Sequence, residues 1–247
     1  MAITFIGQAT GTAANQNVDT STTVAVLAND VVIAVTAVNQ TTAADTFTSH
    51  TATAGSTATL GTVTEFTAAT FNAETLLAAS WARVSGSGDL AIRSTINATR
   101  TQAVLFIVLR GVDTGVSPLG TPASAVGLAG QPASGTVTPS AAGDWFVGFG
   151  AYEEVDTPGL GAPTPTATPS AWTARSNISS GNGVNSIRGY IETFQATDTT
   201  AYQSAPTLST ATDWAEGVVA VAAAAGGGGG SSIAAISAGY HIRGVNR

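Results

Sequence analysis

At 247 residues, with a formal charge of −7 and charged side chains making up only 9% of the chain, the sequence has the length for a large core but little charge to cover it. The eight basic residues are all Arg and are scattered, which excludes the clustered cations that a phosphate backbone requires, so no nucleic-acid partner is expected. The absence of cysteine excludes disulfides and thiolate metal sites.

Ala, Thr, Gly and Ser dominate, so polarity comes mainly from hydroxyls. That suits strands with Thr on their wet faces, not charged solvated helices. A surface so poor in charge disperses a free monomer badly, which hints at assembly into something larger. The start, MAITFIGQAT, has neither a basic n-region nor an apolar h-region, so no signal peptide is expected. No stretch approaches ~18 consecutive apolar residues, so no membrane helix is expected. Sequons at Asn39, Asn97 and Asn177 read as chance in a Thr-rich chain.

In chain order, Ile3–Ile6 reads as a short strand, followed by a polar link from Gly7 to about Thr20. Thr22–Leu27 is a second strand. Asn29 and Asp30 form a turn into Val31–Val38, where Val31, Ile33 and Val35 share a face. Thr41–Ser56 is polar and reads as a loop. Ala58–Phe66 alternates. Glu74–Val84 could begin a helix, but LLAASWARV–SGSG–DLAIRSTIN reads better as a β-hairpin. In its second arm Leu90, Ile92, Ser94 and Ile96 face one way, the mark of a half-buried strand.

Ala103–Gly111, AVLFIVLRG, is the most apolar run and the organising strand. Phe106 and Val108 lie on one face and Leu105, Ile107 and Leu109 on the other, so both faces must be covered, the outer one by loops or by another subunit. Asp113–Gly143 is rich in Pro and Gly and reads as a surface excursion with one short strand near Thr136–Thr138. Trp145–Tyr152 is a strand in which Gly148 and Gly150 leave one face flat for close approach of another backbone. Glu153–Pro169 is Pro-rich, Trp172 opens a further strand, and Arg188–Phe194 and Trp214–Ala222 are strands. Residues 226–232 are a Gly/Ser linker. Residues 233–247 form an apolar tail whose Ile233, Ile236, Tyr240 and Ile242 could dock on a neighbour, the alternative being a disordered end. The sum is roughly ten to twelve short strands without a convincing helix. The expected fold is an all-β, antiparallel two-sheet β-sandwich, jelly-roll-like, over residues 1–225.

Chemistry is sparse. His50, beside Ser49 in a polar loop, and His241 in the tail have no partner at a telling spacing. There is no G-x-S-x-G elbow and no H-x-x-x-H pair. Glu153, Glu154 and Asp156 could hold Ca²⁺ or serve a glycosidase, but read more simply as a solvated acidic loop. Trp81, Trp145 and Trp214 lie in apolar strands and read as core, leaving Trp172, between Pro169 and Arg175, as the exposed candidate for stacking on a sugar. No cofactor is expected, and the chain reads as not an enzyme.

Several segments carry a resemblance: MAITFIGQATGTA, NDVVIAVTAV, LLAASWARV, AVLFIVLRGVD, AGDWFVGFGAYEE and DWAEGVVAVA. Together they resemble jelly-roll virion structural proteins of tailed bacteriophages, over roughly residues 1 to 225. Gly143-Asp144 and Gly111-Val112-Asp113 fit the turns of that set, whereas Asn29-Asp30 replaces its Gly-Asp turn. These motifs mark turns and strands and no site. The resemblance implies a non-enzymatic virion component, with capsid decoration preferred over a neck or tail position. It would bind other virion proteins and form a homo-oligomer, trimers being common among such appendages. The alternative is a carbohydrate- or receptor-binding adhesin using Trp172.

Overall fold

The computed structural model describes residues 2–39, 45–71, 75–115, 117–154, 160–167, 171–181 and 185–224, with backbone alone for 67–71. The linker and the tail, including Ile233, Ile236, Tyr240 and Ile242, lie outside the described residues. The described chain is all-β and antiparallel throughout. The first half supplies β1 (Thr4–Asp19), β2 (Val24–Val26), β3 (Val31–Asn39), β4 (Phe47–Ala52), β5 (Thr59–Leu60), β6 (Thr64–Phe71), β7 (Thr75–Gly86), β8 (Gly88–Leu90) and β9 (Ile92–Arg110). The second half supplies β10 (Ala123–Gly130), β11 (Trp145–Glu153), β12 (Thr173–Ser179), β13 (Ile187–Gln195) and β14 (Thr212–Val221).

One sheet runs β1-β9-β3-β7, with β5 and β6 along β7 and β4 along β9. The other runs β10-β14-β11-β13-β12. They stack face to face: β1 lies over β12, β9 over β13, β3 over β11, β7 over β14 and β6 over β10. The result is a two-sheet sandwich. One apolar cluster joins the sheets, with Ile33, Leu105 and Ile107 from the first and Val147, Phe149 and Val219 from the second.

Ala103–Leu109 is the centre of the first sheet, as its composition predicts. Alternation sends Leu105, Ile107 and Leu109 into the inter-sheet core and Val104, Phe106 and Val108 outward. The outward face is covered by the chain itself. Val24 and Val26 of β2 and Leu90 of β8 pack there, the two short strands pairing as a lid.

Several expectations change. LLAASWARV and DLAIRSTIN do not form a hairpin: β3 lies between β7 and β9 and pairs with both. β3 is apolar on both faces and fully buried, so the centre of the sheet is its stable place, ahead of local turn chemistry. The predicted link Gly7–Thr20 is mostly strand, because the edge strand β1 follows β9 for its whole length. The loop predicted over Thr41–Ser56 contains β4, and the excursion after Asp113 contains β10. The predicted strand at Thr136–Thr138 is a single bridge, Val137 to Tyr202.

The turns behave as read. Asn29 takes a left-handed φ of 72°, and Asp30 accepts a hydrogen bond from the Leu27 N–H (2.8 Å) while pairing with Arg110 (2.7 Å). Gly111 takes φ 79°, where a side chain would strike the Ala2 carbonyl. Asp144 clamps the start of β11 by accepting from Ser140 N (2.9 Å), Ser140 Oγ (2.6 Å) and Ala141 N (3.0 Å). Its other oxygen accepts from Ala223 N at 3.1 Å.

Candidate functional site

The densest chemistry lies on the outer face of the second sheet. In the paired registers, β11 places Gly148 beside Glu192 of β13 and Gly150 beside Glu216 of β14. The glycines leave a hollow along β11, and the two carboxyls lean into it from either side. A Cβ at Gly148 would strike the Ser204 hydroxyl, and one at Gly150 would strike the Glu216 carboxyl and the Tyr152 hydroxyl. The flat face is therefore filled by side chains, not by another backbone as the sequence suggests.

Glu192 and Glu216 are both 0% exposed. Ser204 Oγ lies 2.8 Å from Glu192 Oε1 and 2.6 Å from Glu216 Oε1. A serine hydroxyl carries one hydrogen and can donate to only one of them. The other carboxyl must itself be the donor, so the pair holds a proton. Glu192 is better supplied with donors: Thr166 N (2.9 Å), Thr166 Oγ (2.6 Å) and the Tyr190 hydroxyl (3.2 Å). Apart from Ser204, Glu216 has the Tyr152 hydroxyl at 2.7 Å. The proton therefore sits on Glu216, giving a directed chain from Glu216 through Ser204 to ionised Glu192. Burial pushes both carboxyls above the usual range, Glu216 far above it. Burial and the neighbouring carboxylates push the Tyr152 and Tyr190 hydroxyls up as well.

A second network crosses the first sheet. His50 is not in an open loop but is 1% exposed on β4. The Thr36 hydroxyl donates to Ser94 (2.7 Å), and Ser94 donates to Gln102 Oε1 (3.1 Å). With its hydrogen spent, Thr36 can only accept from His50 Nε2 (2.7 Å), so Nδ1 accepts from the Ser80 hydroxyl (2.7 Å). The tautomer follows from donor counting. Burial lowers the imidazole pKa to about 3, so the ring is neutral. A hydroxyl held to an imidazole is the start of a nucleophile–base pair, but Ser80 is 1% exposed and the space beside it holds about 10 Å³.

Trp172, the sugar-stacking candidate, is buried at 4% exposure. Its ring stacks on Phe194 (centroids 5.6 Å) and packs near Phe146 (6.1 Å). The Trp172 N–H bonds the Thr166 carbonyl (2.9 Å), and the ring joins an aromatic cluster with Phe146 and Tyr202. Trp145 and Trp214 are core, as read, and Trp81 packs half-buried against it. The acidic loop also differs from the expected solvated loop. Glu154 is buried and bonded to Ser179 and to Arg188 (2.9 Å), Glu153 is buried, and Asp156 lies outside the described residues. Among the described residues no group of three or more His, Asp or Glu is placed to hold a metal. His241 lies outside them.

Both polar networks were missed by the sequence reading. A signal existed for the carboxyl pair: Glu192 and Glu216 each interrupt an apolar strand, and Gly148 and Gly150 alternate on the strand between.

On the outside, the large apolar side chains exposed among the described residues are Leu27, Val126 and Leu128, the last two on the edge strand β10. No helix is long and apolar enough to cross a membrane among the described residues. No family model, no curated protein and no solved structure matches this chain.

Proposed function

We propose that the chain is a non-enzymatic structural component of a tailed-phage virion, a capsid decoration or accessory protein that works by protein–protein contact. The observation that carries the association is the β10 rim: an uncharged edge strand, ASAVGLAG, with Val126 and Leu128 exposed. Such a strand invites pairing, and a chain selected to stay alone blunts it with charge or proline. The placement in a virion rests on the resemblance of the strand and turn segments. The low charge of the whole chain supports contact by shape and backbone complementarity. The tail Ile233–Arg247 follows the Gly/Ser run and serves as a tether through Ile233, Ile236, Tyr240 and Ile242. The sugar-binding alternative is not favoured, because Trp172 is enclosed by Phe194 and Phe146.

The test is decoration of phage particles that lack the protein, comparing the full chain with one ending at Ala225. Retention of the full chain alone supports the reading and assigns anchoring to the tail. Retention of neither, with binding to host-cell glycans instead, overturns it.

A further inference from the structure

Among the described residues β10 pairs on one side only, with β14. The register sets Ser124 opposite Gly217 and Val126 opposite Ala215. Cross-strand partners share a face, and Ala215 belongs to the inter-sheet core, so Ser124 and Val126 look into the sandwich. Yet Val126 is 39% exposed and its neighbour Leu128 is 60% exposed. This exposed row lies at the end of the sandwich where β10 faces β6.

The opposite face of β10 is closed. Gly127 has no side chain, so the Trp214 ring lies across the strand there, and Ala125 packs on the same cluster. The strand is thus held in place with Ser124 and Val126 exposed on its inner face, and its other edge pairs with no strand among the described residues. One edge-protecting device is present. The register shifts between Gly127 and Gly130, where Ala129 takes φ 39° and its N–H donates to Asp213 (3.1 Å). It leaves Ala123–Gly127 regular.

We infer that this stretch of β10 is a self-association edge, where a second copy of the chain adds its own β10 antiparallel and joins two five-stranded sheets into one. The inference rests on the reading that the chain works by association, and names the partner. The argument for a second copy is charge. Two bodies of −7 repel over most of their surfaces, and an eight-residue strand without a charge is where they meet without opposing carboxylates. A twofold axis also pairs a strand with itself in the antiparallel sense, in which facing residues exchange both backbone hydrogen bonds. An axis through Ala125 sets Val126 against the second copy's Ser124, with Leu128 at each end of the paired stretch. One strand pair buries less than the ~1,200 Å² of a stable interface, so the contact is weak in solution and strengthens where copies are held side by side.

The experiment is sedimentation velocity of the full chain from micromolar to millimolar concentration. Hydrogen exchange at residues 123–127 is followed over the same range. The wild type is expected to pass from monomer to dimer, with those amides slowing as it does. Val126→Lys with Leu128→Lys, both at exposed positions, is expected to keep the wild-type melting temperature and weaken dimerisation at least tenfold. Leu27→Lys, at an exposed apolar residue away from β10, leaves it unchanged. A chain that stays monomeric at millimolar concentration overturns the inference. So does association that survives the double lysine variant, or association lost in Leu27→Lys. Particle decoration is scored separately. A monomer that still decorates particles overturns only the self-pairing, and a dimer that does not decorate overturns only the virion reading.

Discussion

Replacing Glu216 by Gln removes one ionisable group while keeping a donor for Ser204 Oγ. If Glu216 is the protonated partner, the folded protein loses little, because the amide N–H₂ takes over the role of the carboxyl hydrogen (Glu216 Oε1 to Ser204 Oγ, 2.6 Å). The sign of the pH effect follows from linkage. Glu216 titrates far above its ordinary value when folded, so between its unfolded pKa and its folded pKa the native state holds a proton the unfolded state has released. Its contribution is fully present below about pH 4.3 and is lost as pH rises. The slope is about 1.4 kcal/mol per pH unit for one proton. Glu216→Gln should therefore gain on the wild type by about that amount per unit from about pH 5 upward, or ~3–6 °C in melting temperature per unit at this chain length. Urea denaturation of both proteins from pH 5 to 8 measures the difference, in which titrations common to both cancel. Glu192→Gln should behave oppositely. An amide nitrogen cannot accept from Thr166 N or Thr166 Oγ, so that variant should lose about 1–3 kcal/mol at pH 7. A Glu216→Gln difference curve that is flat with pH, with a large loss at every pH, would show that Glu216 is ionised and refute the proton count.

His50 gives a slope of the opposite sign: its pKa of about 3 lies below the unfolded value, so wild-type stability should fall by about 1.4 kcal/mol per unit as pH drops from ~6.5 toward 3. His50→Gln should remove that slope in acid denaturation followed by circular dichroism, and a slope that survives would place the titration elsewhere. Gly150→Ala puts a methyl against the Glu216 carboxyl and the Tyr152 hydroxyl and should cost about 1–3 kcal/mol in urea midpoint. An unchanged midpoint would mean that the hollow is roomier than its contacts imply. Trp172→Ala should cost about 3–5 kcal/mol as a core aromatic. A variant that kept full stability but lost retention on sugars would restore the adhesin reading.

The sequence was legible where one residue decided one structural feature. Both faces of AVLFIVLRG are apolar, and that alone demands a central strand covered twice. Asn29 tolerates a left-handed φ and Asp30 satisfies the turn, and the turn is there. Reading failed where long-range partners decide. SGSG is good hairpin chemistry, yet β3, buried at every position, takes the place between β7 and β9 and pairs with both. Trp172 looked exposed because its neighbours in sequence are small, polar or Pro, whereas its neighbours in space are Phe146 and Phe194 from two other strands. The carboxyl pair was hidden for the same reason: Glu192 and Glu216 share a site only after β11 lies between their strands, with Ser204 brought over it from the stretch between β13 and β14.

That geometry also limits how the molecule meets a neighbour. The outer face of the first sheet is closed by β2 and β8, with Phe106 and Val108 sealed beneath them. The outer face of the second is closed by the segments bearing Thr166, Trp172, Tyr202 and Ser204, pinned to the sheet through the buried carboxyls and aromatic rings. Docking on the second face would require breaking the buried bonds from Thr166 and Ser204 to Glu192 and Glu216, which strands donors and acceptors at a cost of about 1–3 kcal/mol each, and docking on the first would uncover the apolar side chains beneath β2 and β8. Pairing at a rim strands nothing, because the edge groups exchange water for a strand. The two glutamates thus bear on assembly indirectly: by fastening the cover over β11, they leave the edges, β10 foremost, as the surface through which association is least costly.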